Sequence, residues 1–223
     1  MAKRLKAALR PQVRMLLLSS WRVWRRCGTR RLRLLIRVWG NPAYSAGSGF
    51  VGAVDRAMHE LRSGRVLECG SGLTTIVLAL RARATGSFVA TLEHDEAWCA
   101  EVQRRLRRAG LSPDIVRHAP LQDVGDADWY TLPDRLPTQF DLIVCDGPPG
   151  DTRGGRSGLG QLLPGRLADG GTILLDDVQR PHERELAERW ASSVGTHPRF
   201  ERDGTRKEYA VISGAANKPT TAQ

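Results

Sequence analysis

Acidic residues are missing from the first forty positions, which nonetheless hold 12 lysines and arginines. Subtracting these from the chain's 34 leaves 22 basic against 24 acidic side chains. The formal net charge of +10 therefore belongs to this segment, and the rest of the chain is close to −2. Long apolar runs are missing too. The stretch Met15-Leu16-Leu17-Leu18 falls far short of the ~18 to 20 residues of a membrane span. A basic start and a short apolar core outline a signal peptide, but Ser19-Ser20-Trp21-Arg22 is a poor cleavage site and the basic residues continue past it. Cysteine is sparse: Cys27, Cys69, Cys99 and Cys145 form no Cys-x-x-Cys pair and no Cys/His zinc spacing. Cys69, Cys99 and Cys145 read as reduced and structural, as expected of a cytoplasmic protein.

What the first forty residues do contain is arginine, with Trp21, Trp24 and Trp39. Such a stretch suits a helix lying on an anionic membrane surface or a contact with nucleic-acid phosphates. It equally suits a solvated tail or a helix packed on the domain. Residues 41–49 form a Gly/Ser-rich boundary. The remainder, with the chain 41% hydrophobic and 26% charged, is long enough for one globular domain over 41–214, followed by a disordered tail at 215–223.

The domain is organised around Arg65-Val-Leu-Glu-Cys-Gly-Ser-Gly-Leu-Thr-Thr75. Val66 and Leu67 run without a polar break, as in a strand buried on both faces of a parallel sheet. Glu68 closes the strand, Gly70-Ser71-Gly72 turns the chain, and Leu73 opens an apolar helix reaching about Ala84. Strand, glycine turn and helix in that order build a nucleotide-binding crevice at the carboxyl end of a parallel sheet. A Cβ in the turn would hold a ligand away from the backbone. The dinucleotide fingerprint lacks its third glycine here, because Thr75 stands at that position. An acid two residues before the turn also suits a positively charged ligand better than a pyrophosphate.

Before this stretch, Phe50 to Leu61 has helical apolar spacing. After it, Phe88-Val-Ala-Thr-Leu-Glu93 reads as a second strand. Glu93 lies 23 residues beyond Gly70, where an acid accepts both ribose hydroxyls of an adenosine. Asp95 is an N-cap for a helix over Glu96–Ala109 that packs Trp98, Val102, Leu106 and Ala109 and stops at Gly110. A short third strand at Ile115-Val116 ends near Ala119-Pro120-Leu121. Asp126 to Tyr130 is expected as a loop or short helix packing Trp129.

Phe140-Asp-Leu-Ile-Val-Cys-Asp146 is the strongest strand pattern and runs into Gly-Pro-Pro-Gly150, a loop stiffened by two prolines. A glycine-rich loop with Arg153 and Arg156 follows, then an expected helix over about Ser157–Leu167. That arginine pair at a helix start would suit an anionic group, or it is simply solvated. Gly170-Gly171 leads a fifth strand that ends in Asp176-Asp177. Pro181 to Trp190 reads as a helix, and Asp203-Gly204 marks a closing hairpin within Arg199–Ile212.

The pattern Glu-x-Gly-x-Gly at a strand end, Glu93 after the second strand, and acids after the fourth and fifth strands resemble the class I S-adenosylmethionine-dependent methyltransferases. The resemblance covers about Phe50 to Gly214. It implies a doubly wound, mostly parallel, seven-stranded α/β sheet with a reversed last strand. It implies that Gly70, Ser71 and Gly72 cradle the cofactor, that Glu68 orients its amino end and that Glu93 holds the ribose. Asp146 would face the substrate as the catalytic group. Asp146, Asp176 and Asp177 are similar to the metal site of catechol-type O-methyltransferases. Three converging carboxylates would suit Mg²⁺, which lowers the pKa of a substrate hydroxyl. Asp177 capping the next helix is the plainer reading.

Two family features are absent. No acid directly follows the third strand, so the adenine contact is unassigned. A glycine follows Asp146 and Gly150 replaces the aromatic of Asn/Asp-Pro-Pro motifs, which argues against nucleobase amino methylation. The expected reaction is methyl transfer to a small-molecule or sugar acceptor at oxygen. The alternatives are an NAD-dependent oxidoreductase and an inactive binding module docked by its basic arm.

Overall fold

The structure, a computed structural model, describes residues 46–163, 165–202 and 206–215. The basic arm, the start of the boundary at 41–45, the Asp203-Gly204 turn and the tail beyond Ala215 lie outside the described residues. Among the described residues, no helix is long and apolar enough to cross a membrane.

Seven strands form one sheet. In chain order the elements are α1 (Ser48–Leu61), β1 (Arg65–Cys69), α2 (Leu73–Thr85), β2 (Phe88–Glu93), α3 (Glu96–Arg108), β3 (Val116–His118), β4 (Leu121–Asp123), β5 (Asp128–Tyr130), β6 (Phe140–Cys145), β7 (Leu167–Leu175), α4 (Pro181–Ser193), β8 (Arg199–Arg202) and β9 (Glu208–Ser213). The sheet order is β3-β2-β1-β6-β7-β9-β8. The pairs from β3 through β7 are parallel, and β9 is inserted antiparallel between β7 and β8. This is the doubly wound, mostly parallel arrangement with a reversed last strand.

Alternation along the central strands builds two cores. Val66, Leu142, Val144 and Leu174 face α1, α2 and α3. Leu67, Ile143, Cys145, Ile173 and Leu175 face α4 and the β5 aromatics. Helix α2 is buried from Leu73 through Leu80, as expected of a helix apolar all round. Cys69, Cys99 and Cys145 are free and buried.

Asp95 caps α3, its side chain accepting from the Trp98 amide at 2.7 Å, and Gly110 turns left-handed just past the helix end.

Three expected elements differ. The helix expected over Ser157–Leu167 is only a 3-10 turn over Ser157–Gln161. Gly158, Gly160 and Gly165 weaken a helix there, and a Cβ on Gly158 would lie 2.6 Å from Trp129. The Asp126–Tyr130 loop or helix is instead one strand of an antiparallel β4–β5 pair. The fifth long strand starts at Leu167 rather than Gly170. Phe140 pairs with Leu167 and Leu142 with Thr172, so Gly170-Gly171 sits in a bulge inside the strand.

Candidate active site

Every sequence-predicted site residue lies at the carboxyl edge of β1, β2, β6 and β7. The register sets their depth. Cys69 stands opposite Leu92 and Cys145, and Cys145 opposite Leu175. Gly70, Glu93, Asp146 and Asp176 therefore leave the sheet at nearly one level. The ladder continues into the loops, with the Asp146 amide donating to the Cys69 carbonyl at 2.9 Å and the Asp176 amide to the Cys145 carbonyl at 3.1 Å.

Gly70 has φ +88°, and its backbone touches the second loop of the site. A Cβ there would lie 2.8 Å from the Gly147 nitrogen. A Cβ on Gly147 would lie 2.8 Å from the Gly70 Cα and 2.5 Å from the Tyr130 hydroxyl. The two loops thus approach as closely as backbone permits, which only a glycine pair allows. Gly147-Pro148 is a cis peptide. Gly72 is different: its backbone is extended, and a Cβ there would meet nothing within 4 Å. It faces open space.

The two cofactor-side acids are fixed by neutral donors. Glu68 is fully buried, and its Oε2 accepts from the hydroxyls of Thr75 and Thr91, both at 2.7 Å. Its Oε1 is buried without a hydrogen-bond partner. Burial pushes this carboxyl up to about 7, while the hydroxyls of Thr74, Thr91 and Thr75 oppose the rise. Glu93, 3% exposed, accepts on Oε2 from the Ser71 amide at 3.0 Å and the Ser71 hydroxyl at 2.7 Å. Its Oε1 accepts from the Asp95 amide at 3.0 Å, and His94 Nδ1 stands at the same distance. Ser71 is held from the other side by Trp98, whose Nε1 donates to its carbonyl at 3.0 Å. Trp98, expected as one of α3's packing residues, therefore also shapes the glycine turn.

The other end of the edge is charged. One oxygen each from Asp146, Asp176 and Asp177 lie within 4.8 Å of one another. Asp177 has φ +62°, a left-handed conformation that aspartate tolerates better than most residues. The cap position of α4 is Arg180, so Asp177 does not cap that helix.

Arg156 and Lys207 enter this cluster, and Arg180 Nη2 lies 3.2 Å from Asp177 Oδ2. Arg156, whose side chain is 2% exposed, donates through Nη2 to the Asp146 carbonyl at 3.1 Å, to Asp146 Oδ1 at 3.2 Å and to Asp177 Oδ2 at 3.1 Å. Its Nη1 donates to the Asp176 carbonyl. Lys207 Nζ lies 3.2 Å from Asp177 Oδ1 and 3.8 Å from Asp176 Oδ2. Burial lifts Asp146 to about 6 against the pull of Arg156. Burial, then the charges of Asp146 and Asp177, push Asp176 well above the carboxylate range. Burial would raise Asp177 too, but Arg156, Lys207, Gln179 and Arg180 together hold it below its ordinary value.

The arginine pair does not act as a pair. Arg153 is exposed and bridges Asp123 at 2.9 Å and Asp128 at 2.6 Å, pinning the β4–β5 hairpin. Only Arg156 reaches the site. Thr75, Thr91, Tyr130, Trp98 and Lys207 are site residues with no motif to announce them. Tyr130 is buried, with its hydroxyl unpartnered beside Gly147.

No family model and no curated protein matches the chain. Solved structures match its fold. The O-methyltransferase TomG from Streptomyces achromogenes, in complex with SAM, is similar over 93% of this chain and 100% of its own, with TM-score 0.55 and 15% identity. An O-methyltransferase from Bacillus cereus, in complex with SAH, is similar over 83% of this chain and 90% of its own, with TM-score 0.55 and 17% identity. A methyltransferase from Pyrococcus furiosus covers 74% of this chain and 83% of its own, with TM-score 0.50 and 16% identity. With the sheet order and the reversed β9, these similarities establish that the chain has the Rossmann-like fold of the class I S-adenosylmethionine-dependent methyltransferases.

Proposed function

We propose that this protein transfers a methyl group from S-adenosylmethionine to an oxygen nucleophile on a small-molecule or sugar acceptor. One observation carries the cofactor assignment. A buried acid with an unpartnered oxygen, Glu68, stands beside a glycine turn whose Gly72 faces open space. An orphan carboxylate oxygen at that position suits the cofactor's amino group, and the open face at Gly72 suits its chain. Glu93, already accepting two hydrogen bonds from Ser71, is at the β2 end, where it would hold the ribose hydroxyls. The similar structures TomG and the Bacillus cereus enzyme contain SAM and SAH, which supports the same ligand here.

When bound, S-adenosylmethionine supplies an electrophilic methyl group on sulfonium sulfur. The protein's share is to position the acceptor and take its proton, since in-line attack depends mainly on geometry and desolvation. Asp146 is the proposed base. It is the most open of the three acids, with a side chain 19% exposed against 1% for Asp176 and 7% for Asp177. A carboxyl raised to about 6 is a stronger base than a free one and stays ionised at pH 7. The acid cluster does not fit a divalent ion as it stands, because Arg156 and Lys207 already compensate it, and no step is assigned to a metal.

The test is transfer of labelled methyl from S-adenosylmethionine to a panel of phenols, hydroxy acids and sugars. Asp146→Asn lowers turnover by about 10²- to 10⁴-fold, the usual worth of general base catalysis, while leaving product-cofactor binding intact. Full turnover in that variant would remove Asp146 from the chemistry.

A further inference from the structure

The carboxylates after β6 and β7 are arranged as a hard cation would require, yet the middle of the cluster is occupied by protein. Nη2 of Arg156 has three oxygen neighbours at 3.1 to 3.2 Å: the Asp146 carbonyl, Asp146 Oδ1 and Asp177 Oδ2. Oxygens gathered round one positive centre are what a metal site looks like, expanded from the ~2.0 to 2.6 Å of Mg²⁺ or Ca²⁺ to hydrogen-bond length. Two of the oxygens available to an ion are thus already spent on the guanidinium, and a guanidinium cannot give up its charge to make room.

Arg156 is not placed to swing away. Its side chain is 2% exposed. It also donates to the main-chain carbonyls of Asp146 and Asp176, the first residues beyond β6 and β7. Withdrawing it would leave those two carbonyls without this donor as well as uncovering the acids. From the opposite side, Lys207 stands in front of β9 and lies within 4 Å of both Asp176 and Asp177. Arg180 adds a contact to Asp177 Oδ2 at 3.2 Å and is shared with Glu183 at 3.6 Å. Three acids therefore meet the cations of Arg156 and Lys207 and part of Arg180. Little negative charge remains to offset the dehydration of a divalent ion.

We propose that Arg156 and Lys207 are the resident cations of this site, so that the acceptor end of the cleft works without a divalent metal. Arg156 is a positioning residue: it locks the Asp146 carboxylate to the strand ends and keeps Asp177 in its left-handed turn. Lys207, with a side chain 36% exposed, is a cation that an acceptor can meet. A metal-centred site selects acceptors with two adjacent oxygens that chelate the ion. This one presents one partly exposed carboxylate, Asp146, near the partly exposed ammonium of Lys207. It suits an acceptor carrying one reacting hydroxyl, whose developing negative charge Lys207 neutralises as Asp146 takes the proton. The acceptor part of this inference rests on the methyl-transfer reading; the metal part rests on the cluster alone.

The metal part is tested on the full chain with no cofactor or acceptor present. Chelator-treated wild-type protein is titrated with Mn²⁺, followed by electron paramagnetic resonance and by melting temperature, with Mg²⁺ as the second probe. The expected result is no saturable Mn²⁺ site up to about 1 mM, the weak end of the range for oxygen-ligated divalent ions, and no shift in melting. The R156A/K207A double variant should bind Mn²⁺ at least about tenfold more tightly and regain melting temperature when it is added, because the acids then lack their partners. Single Lys207→Gln, which leaves the buried guanidinium in place, should stay closed to Mn²⁺ and bind product cofactor as wild type does. A wild-type Mn²⁺ site that disappears in Asp176→Asn overturns the proposal even if the double variant does not fold. Loss of S-adenosylhomocysteine binding in wild type would count against the methyl-transfer reading while leaving the Mn²⁺ result standing.

Discussion

The two ends of the cleft edge handle buried acids in opposite ways. At the β1–β2 end, Glu68 and Glu93 are held by hydroxyls and amides from Thr75, Thr91, Ser71 and Asp95. At the β6–β7 end, Asp146 and Asp177 are held by the guanidinium of Arg156 and, for Asp177, the ammonium of Lys207. Neutral donors bring no positive charge to these acids, and Glu68 Oε1 stays buried without a hydrogen-bond partner. Cationic partners cancel the charge and fix geometry instead. The first end is built to receive a positive group, and the second to hold one carboxylate still.

The comparison makes its largest prediction at Arg156. Arg156→Leu leaves buried acids uncompensated and should cost about 3–5 kcal/mol of stability, a fall of roughly 10 °C in melting temperature for a chain of this size. A change of a degree or two would mean that the cations are ornamental and the two ends are alike.

Glu68 provides the counterpart. Its ordinary value is 4.5 and burial lifts it to about 7. Below 4.5 the carboxyl is neutral whether the chain is folded or not. Between these values the folded state keeps a proton that the unfolded chain has lost. The stability this contributes is thus fully present below 4.5 and is lost as pH rises through about 7, amounting to at most ~3 kcal/mol. Urea unfolding of wild type and Glu68→Gln across pH 4 to 9 should show the variant gaining on wild type as pH rises, with the gap levelling off above about 8. Parallel curves would remove the uncompensated-acid description of this end.

The glycine turn sharpens the contrast further. Gly70→Ala forces a side chain into φ +88° against the Gly147 backbone, and should cost about 1–3 kcal/mol in thermal or chemical unfolding. Gly72→Ala meets nothing within 4 Å and should change stability by no more than about 0.5 kcal/mol. It should nevertheless weaken S-adenosylhomocysteine binding, because the new methyl group would project into the space proposed for the ligand. Equal effects of the two substitutions on folding would mean that the turn is packed alike at both glycines.

Much of the β1–β2 end was legible because its parts are local. Strand, acid, glycine turn and helix follow one another in eleven residues from Arg65 to Thr75, and Glu93 falls at a spacing set by one helix and one strand. The mostly parallel sheet with its reversed last strand was expected from the family resemblance that these local patterns carry. The β6–β7 end was legible only in its acids. Arg156 stood beside Arg153 in a glycine-rich loop with nothing in the pattern to separate a buried guanidinium from an exposed one. Lys207 comes from the far side of β7, brought in by the antiparallel insertion of β9. Tyr130 arrives on a hairpin that the sequence suggested as a loop or helix, because its three-residue strands are too short to show alternation. The helix expected after Ser157 failed for a local reason: its glycines fit against Trp129 and Trp190 rather than extending a helix.

The measurement that bears most directly on the account is calorimetric titration of the wild-type protein with S-adenosylmethionine and S-adenosylhomocysteine, repeated with Glu93→Ala. The account predicts micromolar binding of both to wild type, weakened at least about 100-fold in the variant, where an acid that fixes Ser71 and is proposed to accept ligand hydroxyls has been removed. Absence of binding to wild type, with binding of a nicotinamide dinucleotide or of nothing, would contradict it and leave the fold without the proposed cofactor.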